Sequence, residues 1–138
     1  MATYRVKASS ANPTKTVVTA RSFQIIVDEP KSIGGTDEGA TPVEYVLGAL
    51  AGCLSVVGHL VAKEMNMPLE GIDFELEGDL NPARFSGKAT DERAGFQEIR
   101  VKISPKTTAD EATVAKWLET VEDRCPVSDN LANPTPVK

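Results

Sequence analysis

One segment constrains the fold more than any other, the run PVEYVLGALAGCLSVVGHL over residues 42–60. It holds one acid, one cysteine and one histidine among apolar and small residues, and its apolar stretch approaches the length of a membrane span, about 20 residues. Its many glycine, alanine and serine residues, closed by Lys63 and Glu64, instead favour the central helix of a protein core. We therefore predict a helix that is surrounded by protein, with glycines that let another backbone approach closely.

The residues at the start of this segment predict where the helix begins. In TPVE, Thr41 is placed at the N-cap, Pro42 at the first helical position and Glu44 at the third, from which a carboxylate can reach back to the cap amide. We expect the helix to continue to about Asn66. Its apolar stripe at helical spacing consists of Val46, Leu50, Cys53, Val57 and Leu60.

A second helix is predicted near the end of the chain. Thr108 and Glu111 repeat the spacing of an N-cap and a third position, and Pro126 directly follows the last apolar position, Cys125. Because proline disfavours helical geometry in the residue before it, we expect Cys125 at or just beyond the helix end. The tail from Ser128 onward could supply a short terminal strand. The apolar stripe of this helix consists of Val114, Leu118, Val121 and Cys125.

Strands are predicted on both sides of the first helix. Alternation of apolar and polar residues indicates strands over 4–8 and 23–27 before it and over 72–76 and 99–103 after it. The last two carry charges of opposite sign on their polar faces, as is typical of cross-strand neighbours. The segment over 28–42, DEPKSIGGTDEGATP, breaks all periodicity and is predicted to be a mobile loop.

Length and charge limit the fold class and the partners. The 138 residues, with 41% hydrophobic content, predict one domain over 1–138. The predicted strands and helices make it an α+β domain, in which we expect antiparallel sheets to wrap around two core helices. The net charge is -5 and no lysine or arginine cluster is present, so we expect neither nucleic acid nor a membrane surface as a partner. The first ten residues lack an apolar stretch behind a basic head, so we expect no secretory signal and a cytoplasmic location.

Each predicted helix presents one cysteine, and the residues alone leave two interpretations open. Free cysteine often behaves as a small hydrophobe, so both thiols could serve packing only. In a reducing cytoplasm, two cysteines and one histidine form neither a disulfide framework nor the spacing of a zinc site, so no metal is expected and redox chemistry is the alternative. His59 lies about 120° around the helix from Cys53, so we interpret it as a core or interface residue rather than as a base.

Two stretches carry a resemblance to a known family. TPVEYVLGALAGC, followed far downstream by EDRCPVSDNL, resembles the paired signature of the OsmC/Ohr family, the osmotically inducible and organic-hydroperoxide-resistance proteins. The likeness extends over nearly the whole chain. It implies a peroxidatic role for Cys53 and a resolving role for Cys125. It also implies an intertwined homodimer, a small organic hydroperoxide as substrate and an external dithiol as reductant, with no metal, haem or flavin cofactor.

Two positions depart from the pattern that this resemblance implies. Peroxidase members of the family carry an arginine in the loop before the helix and a glutamate ten positions before the first cysteine, and these two residues activate the thiolate. Ile33 and Val43 occupy those positions here. Glu44 is expected to cap the helix, while Arg21 and Arg124 are candidate substitutes for the arginine or, equally, solvated charges. The alternative hypothesis is a non-catalytic OsmC-fold protein that binds a small apolar ligand or senses oxidants.

Overall fold

The computed structural model describes all residues from Met1 to Lys138. It contains three α-helices, one short 3-10 helix and two antiparallel sheets, which confirms the predicted α+β class. The chain divides into two compact units, Met1–Val46 and Leu47–Lys138. The long central helix begins in the first unit and continues into the second.

The first unit contains a three-stranded antiparallel sheet in the order β1-β2-β3. Its strands are β1 (Lys7–Ser10), β2 (Thr16–Ala20) and β3 (Phe23–Val27). The strand predicted over 23–27 is therefore confirmed as β3. The sequence analysis did not predict β2, whose apolar residues Val17 and Val18 stand side by side and give no alternation.

The first predicted strand was placed too early in the chain. Tyr4 and Val6 lie before β1 and are exposed. The register explains the difference, because Lys7 pairs with Thr19 and the turn at Arg21, with a φ of 56°, already leads into β3. Residues before Lys7 therefore have almost no β2 partners left to bond with.

The loop after β3 is organised around a buried carboxylate, Asp28, so the predicted mobile loop is replaced by an ordered one. Asp28 is 0% exposed and accepts hydrogen bonds from the Thr14 hydroxyl, from the amide and hydroxyl of Thr36, and from the amides of Glu29 and Glu38. Burial raises the pKa of Asp28, but these hydrogen bonds outweigh it, so the pKa lies well below its usual range. A fully bonded carboxylate therefore holds a segment that lacks an apolar pattern.

Helix α1 (Pro42–Glu64) begins as the sequence predicts. The Thr41 amide donates to Glu44 Oε1 at 2.9 Å, and the Glu44 amide donates to the Thr41 hydroxyl at 3.3 Å, which is a reciprocal capping box. The helix ends near the predicted Asn66, which adopts a φ of 54° while its amide bonds to the Lys63 carbonyl. Such a left-handed residue is a common helix stop for asparagine.

The buried face of α1 is rotated slightly around the helix relative to the predicted apolar stripe. Leu50 is buried as predicted and Cys53 and Val57 are partly buried, but Leu60 is 48% exposed. By length and composition alone α1 could cross a membrane, and 33% of its most apolar window is buried inside the chain; core helices of soluble proteins share this property. The residues of α1 that are buried are Leu50, Leu54, Gly58, Val61 and Ala62.

Strands β4 (Gly71–Leu80) and β5 (Phe96–Lys106) form the antiparallel pair that the alternation predicts. On the outer face Glu75 stands opposite Lys102, with the charged atoms 3.2 Å apart, and Glu77 stands opposite Arg100 at 2.9 Å. The predicted charge complementarity is confirmed. The inner face packs on the core with six apolar side chains: Ile72, Phe74, Leu76, Ile99, Val101 and Ile103.

Helix α2 (Glu111–Arg124) begins with a different cap from the predicted one. The N-cap is Asp110, whose carboxylate accepts a hydrogen bond from the Thr113 amide at 2.8 Å. Aspartate is as good a cap as threonine, so Thr108 stays outside and Glu111 becomes the first helical residue.

The tail is helical rather than extended, since residues Pro126–Ala132 form α3. Cys125 serves as its N-cap and Pro126 is its first residue. CPVS thus begins a helix in the same way as TPVE does at α1, with a capping side chain followed by proline. The predicted terminal strand was therefore wrong, although its sequence carried the signal of a helix start.

Trp117 is the centre of the apolar core in the second unit. It is 1% exposed, and its indole nitrogen donates to the Gly58 carbonyl at 2.8 Å. A Cβ atom at Gly58 would lie 2.8 Å from the Ile72 Cδ1 atom and 3.0 Å from the Trp117 ring. Gly58 therefore admits the side chains of Trp117 and Ile72 rather than the second backbone that the sequence predicts, and α2 rests on α1 at this point.

We expect Gly58→Ala to be about 1–3 kcal/mol less stable towards unfolding than Gly52→Ala, because the added methyl group overpacks the contact with Trp117 and Ile72. The two variants share the same gain in helix propensity, about 1 kcal/mol, so their difference isolates the packing cost. At Gly52 an added Cβ meets no atom within 4 Å. Urea unfolding of both variants measures the difference, and equal stabilities contradict the prediction.

Candidate active site

The structure brings the two predicted thiols into contact. Cys53 lies in the middle of α1 and Cys125 at the junction of α2 and α3. Their Sγ atoms are 3.0 Å apart and both cysteines are free. A disulfide bond is about 2.05 Å long, so the thiols need to approach by only about 1 Å to form one.

The two thiols differ in exposure, and burial affects the acidity of Cys125. Cys125 is 1% exposed, whereas Cys53 is half-buried. Burial raises the pKa of the Cys125 thiol, and its hydrogen bond to Cys53 raises that pKa further, against a smaller lowering by the amides of Ser128 and Val127. Cys125 therefore stays protonated at neutral pH, and solvent reaches Cys53 more easily.

The position of Cys125 follows from its part in two helix ends. It ends α2 with φ -82° and ψ 110°, and its sulfur accepts the Ser128 amide at 3.4 Å as the N-cap of α3. Proline at position 126 enforces the extended geometry of Cys125, as the sequence predicts. The sequence analysis did not identify Ser128, which could have been found from the match between CPVS and a capped helix start.

A bidentate ion pair involves Arg124, the residue directly before Cys125 in the sequence. Arg124 donates to the two carboxylate oxygens of Glu64, the last residue of α1, at 2.6 and 3.1 Å. This pair raises the pKa of Arg124 and lowers that of Glu64. The guanidinium is therefore occupied by a carboxylate, and the pair joins the ends of the two helices that carry the cysteines.

The other two candidates for activating the thiolate, Arg21 and Glu44, interact with residues near them in the sequence. The Arg21 guanidinium lies over the Phe23 ring, 4.9 Å from its centroid, in the first unit. Glu44 caps α1, and hydrogen bonds from Thr41 lower its pKa. Ile33, in the 3-10 helix Lys31–Ile33, and Val43, in the first turn of α1, are exposed apolar residues.

The sequence analysis interpreted His59 as a core or interface residue, and the structure shows that it is not in the core. It is exposed on α1, and its Nδ1 atom lies 2.9 Å from the Ser55 carbonyl oxygen of the preceding turn. No group of three or more histidine, cysteine and acidic side chains is placed to hold a metal ion. Two surface grooves, one over Glu75 to Glu77 and 100–102 and the other beside Lys106, are lined by residues other than the cysteines.

These features define an α+β protein with two free thiols in contact between core helices. The model of the family described as OsmC-like protein matches residues 35–138. Because this match covers most of the sequence, the chain belongs to the OsmC-like protein family, and the resemblance seen in the sequence is confirmed. None of the curated proteins matches this sequence.

Solved structures share this fold at low sequence identity. An OsmC-like protein from Mycoplasma pneumoniae has a TM-score of 0.83 at 22% identity, covering 96% of this chain and 89% of that chain. An organic hydroperoxide resistance protein OsmC from Legionella pneumophila has a TM-score of 0.67 at 19% identity, covering 95% and 90%. For an organic hydroperoxide resistance protein from Elizabethkingia anophelis the values are 0.66, 17%, 94% and 87%. These likenesses establish the fold.

We expect mild oxidation with diamide to produce an intramolecular disulfide between Cys53 and Cys125, because the sulfur atoms are already in contact. Mass spectrometry of peptides from the unreduced protein detects this bond, and titration of free thiols shows its extent. Cys125→Ser serves as the control and forms no internal bond. Oxidation that yields only bonds between chains contradicts the prediction.

Proposed function

We propose that this protein reduces organic hydroperoxides with Cys53 as the peroxidatic thiol and Cys125 as the resolving thiol. The observation that carries this proposal is the 3.0 Å contact between one half-buried and one fully buried thiol. Membership of the OsmC-like family supports it, as do structural neighbours that are named organic hydroperoxide resistance proteins.

The exposure of the two thiols supports this assignment of their roles. The peroxidatic thiol must meet the substrate, and Cys53 is the more accessible of the two. A resolving thiol needs to reach only the oxidised partner, so the buried position of Cys125 in contact with Cys53 suits the later step. A cytoplasmic location, where dithiol reductants are available, fits the same proposal.

The proposed cycle has three balanced steps. The Cys53 thiolate attacks the outer oxygen of R–O–O–H, a sulfur–oxygen bond forms, the oxygen–oxygen bond breaks, and the alkoxide leaves as the alcohol after it takes a proton from water. Cys125 then attacks the sulfenic sulfur, and the hydroxyl group leaves with the Cys125 proton as water. An external dithiol restores both thiols by exchange and becomes a disulfide itself.

The surroundings of the thiols favour an apolar substrate. Cys53 packs against the apolar cluster that contains Leu50, Leu54 and Trp117, and Cys125 belongs to that cluster. The transfer of an alkyl or aryl group from water to such a surface is favourable in free energy. The transfer of hydrogen peroxide is unfavourable, because it loses hydrogen bonds to water. We therefore propose organic hydroperoxides, rather than hydrogen peroxide, as the substrate class.

A second function is favoured by two particular residues. Ile33 and Val43 stand where peroxidase members of the family carry the activating arginine and glutamate. Without these charges the same thiol pair could sense oxidants, or its apolar surroundings could bind a small ligand without catalysis. The two hypotheses differ in the turnover of organic peroxide.

We expect the native protein to consume cumene hydroperoxide in the presence of a dithiol, and Cys53→Ser to lose this turnover completely, because no other thiol carries the first step. Cys125→Ser should react once and then stop as a sulfenic acid or a higher oxide. Peroxide consumption and the mass of the Cys53 peptide measure both effects. Equal peroxide consumption by the native protein and Cys53→Ser contradicts catalysis and favours the binding or sensing function.

A gain-of-function variant complements these losses. Ile33→Arg combined with Val43→Glu restores the two charges at exposed positions, so it should leave the core undisturbed. A faster reaction of Cys53 with cumene hydroperoxide in this double variant indicates that the fold has kept the site. The single variants separate the two contributions.

We also propose that the protein acts as an intertwined homodimer. Apolar side chains of α1 remain uncovered in the single chain, where Val56 is 71% and Leu60 is 48% exposed. Gly48 is exposed on the same helix, so another backbone could approach it closely. A second copy of the chain would remove this apolar surface from water.

We expect sedimentation at micromolar concentration to give a dimer and Val56→Asp to shift it towards the monomer, because a charge would have to be buried in the interface. Val56 is 71% exposed in the single chain, so the substitution itself should not disturb its packing. Ser86→Asp adds the same charge at an exposed turn and is the control. A native protein that sediments as a folded monomer contradicts the dimer.

A further inference from the structure

The hydrogen bonds at Cys125 give its proton a direction. Its sulfur accepts the Ser128 amide at 3.4 Å, so this side of the sulfur is already occupied by a donor. The Cys53 sulfur lies 3.0 Å away on another side, within donating distance of the Cys125 S–H group. Cys125 is therefore placed to donate to Cys53, and the helix start at α3 holds it in that orientation.

The S–H group of Cys125 is the one side-chain or backbone donor within hydrogen-bond distance of the Cys53 sulfur. The nearest cation in sequence to the thiol pair, Arg124, donates to Glu64 instead. Ile33 occupies the position at which the family pattern has its activating arginine. The thiolate of Cys53 therefore needs a neutral donor.

We propose that the Cys125 thiol, besides resolving the sulfenic acid, activates Cys53 by donating a hydrogen bond to its thiolate during the attack on peroxide. This inference rests on the proposed function and adds a second catalytic role to Cys125, which contacts the reacting sulfur directly. A neutral donor with a well-defined direction stabilises an anion at a site where a free cation is absent.

The burial of Cys125 suits this role. A donor to a thiolate must keep its own proton, and Cys125 is 1% exposed with a pKa raised by burial and by Cys53. The proton is used in the next step. When Cys125 attacks the sulfenic acid, the sulfur–sulfur bond forms, the sulfur–oxygen bond breaks, and the hydroxyl group leaves with this proton as water.

Alkylation of Cys53 by iodoacetamide tests the proposal without peroxide. We expect Cys125→Ala to slow this alkylation at pH 7 by about 10- to 100-fold, which is the effect of one hydrogen bond to a charged group. The rates should converge at high pH, where Cys53 is ionised in every variant. Cys125→Ser retains a donor at the same position and should recover much of the rate. Peptide mass spectrometry follows Cys53 alone over a series of pH values.

Val121→Ala is the packing control. Val121 is 1% exposed and lies one turn before Cys125 on α2, so its truncation loosens the same core but leaves the donor in place. Its alkylation profile should match that of the native protein. If Cys125→Ala gives the native rate at pH 7, or if Val121→Ala slows alkylation as much as Cys125→Ala does, the proposal is overturned.

The outcomes separate this inference from the proposed function. Slow alkylation of Cys125→Ala in a protein that does not consume peroxide supports the hydrogen bond and rejects the peroxidase. An unchanged alkylation rate in Cys125→Ala, with Cys53 still oxidised by cumene hydroperoxide, supports the peroxidase and rejects the activating role. Should Cys125→Ala fail to fold, Cys125→Ser decides. Its shorter side chain holds the donor farther from Cys53, so an alkylation rate below that of the native protein at pH 7 that converges with it at high pH supports the proposal, and equal rates at every pH overturn it.

Discussion

Trp117 packs against Gly58, and the geometry of the thiol pair depends on this contact. The indole ring occupies the space that a side chain at position 58 would fill, and its N–H group donates to the Gly58 carbonyl. Val121 and Cys125 follow Trp117 at intervals of four residues and share its buried face. The contact of Trp117 with Gly58 fixes the position of α2 against α1. The end of α2 therefore lies beside Cys53, where the two sulfur atoms are in contact.

In the second unit the charged side chains and the two thiols lie in different places. Its ion pairs lie outside, where Arg124 joins Glu64 at the helix ends and Arg100 joins Glu77 on the outer face of the sheet. The thiols lie inside, among apolar side chains, and each forms hydrogen bonds with neutral groups only. Electrostatic interactions are stronger in such surroundings than in water, so a hydrogen bond between the two thiols has a larger effect on Cys53 there.

The first unit is organised by the opposite principle. Its fully buried large side chain is a carboxylate, Asp28, and five hydrogen bonds to backbone amides and hydroxyl groups hold the segment around it. A side chain at Gly35 would collide with the backbone of Glu29, so glycine is required for this tight path. The loop before α1 therefore gains its order from polar contacts, which leave no periodic trace in the sequence.

The sequence by itself determined the elements whose cause is local. The reciprocal cap at Thr41 and Glu44, the stop at Cys125 before proline, and the charge pairing of β4 with β5 all follow from neighbouring residues or from simple alternation. The family also followed from two short stretches. The sequence misplaced the buried ridge of α1 and the start of α2, because neighbouring ridges and competing caps look alike until packing selects one of them.

Only the tertiary structure decided which distant groups meet. The separation of the two sulfur atoms, the pairing of Arg124 with Glu64, the seat of Trp117 at Gly58 and the five donors around Asp28 all join residues that no local pattern relates. The physical reason is that such contacts depend on how helices and strands pack, and packing is fixed by the shapes of many side chains together. The sequence could name Cys53 and Cys125, but the contact between their sulfur atoms belongs to the folded chain.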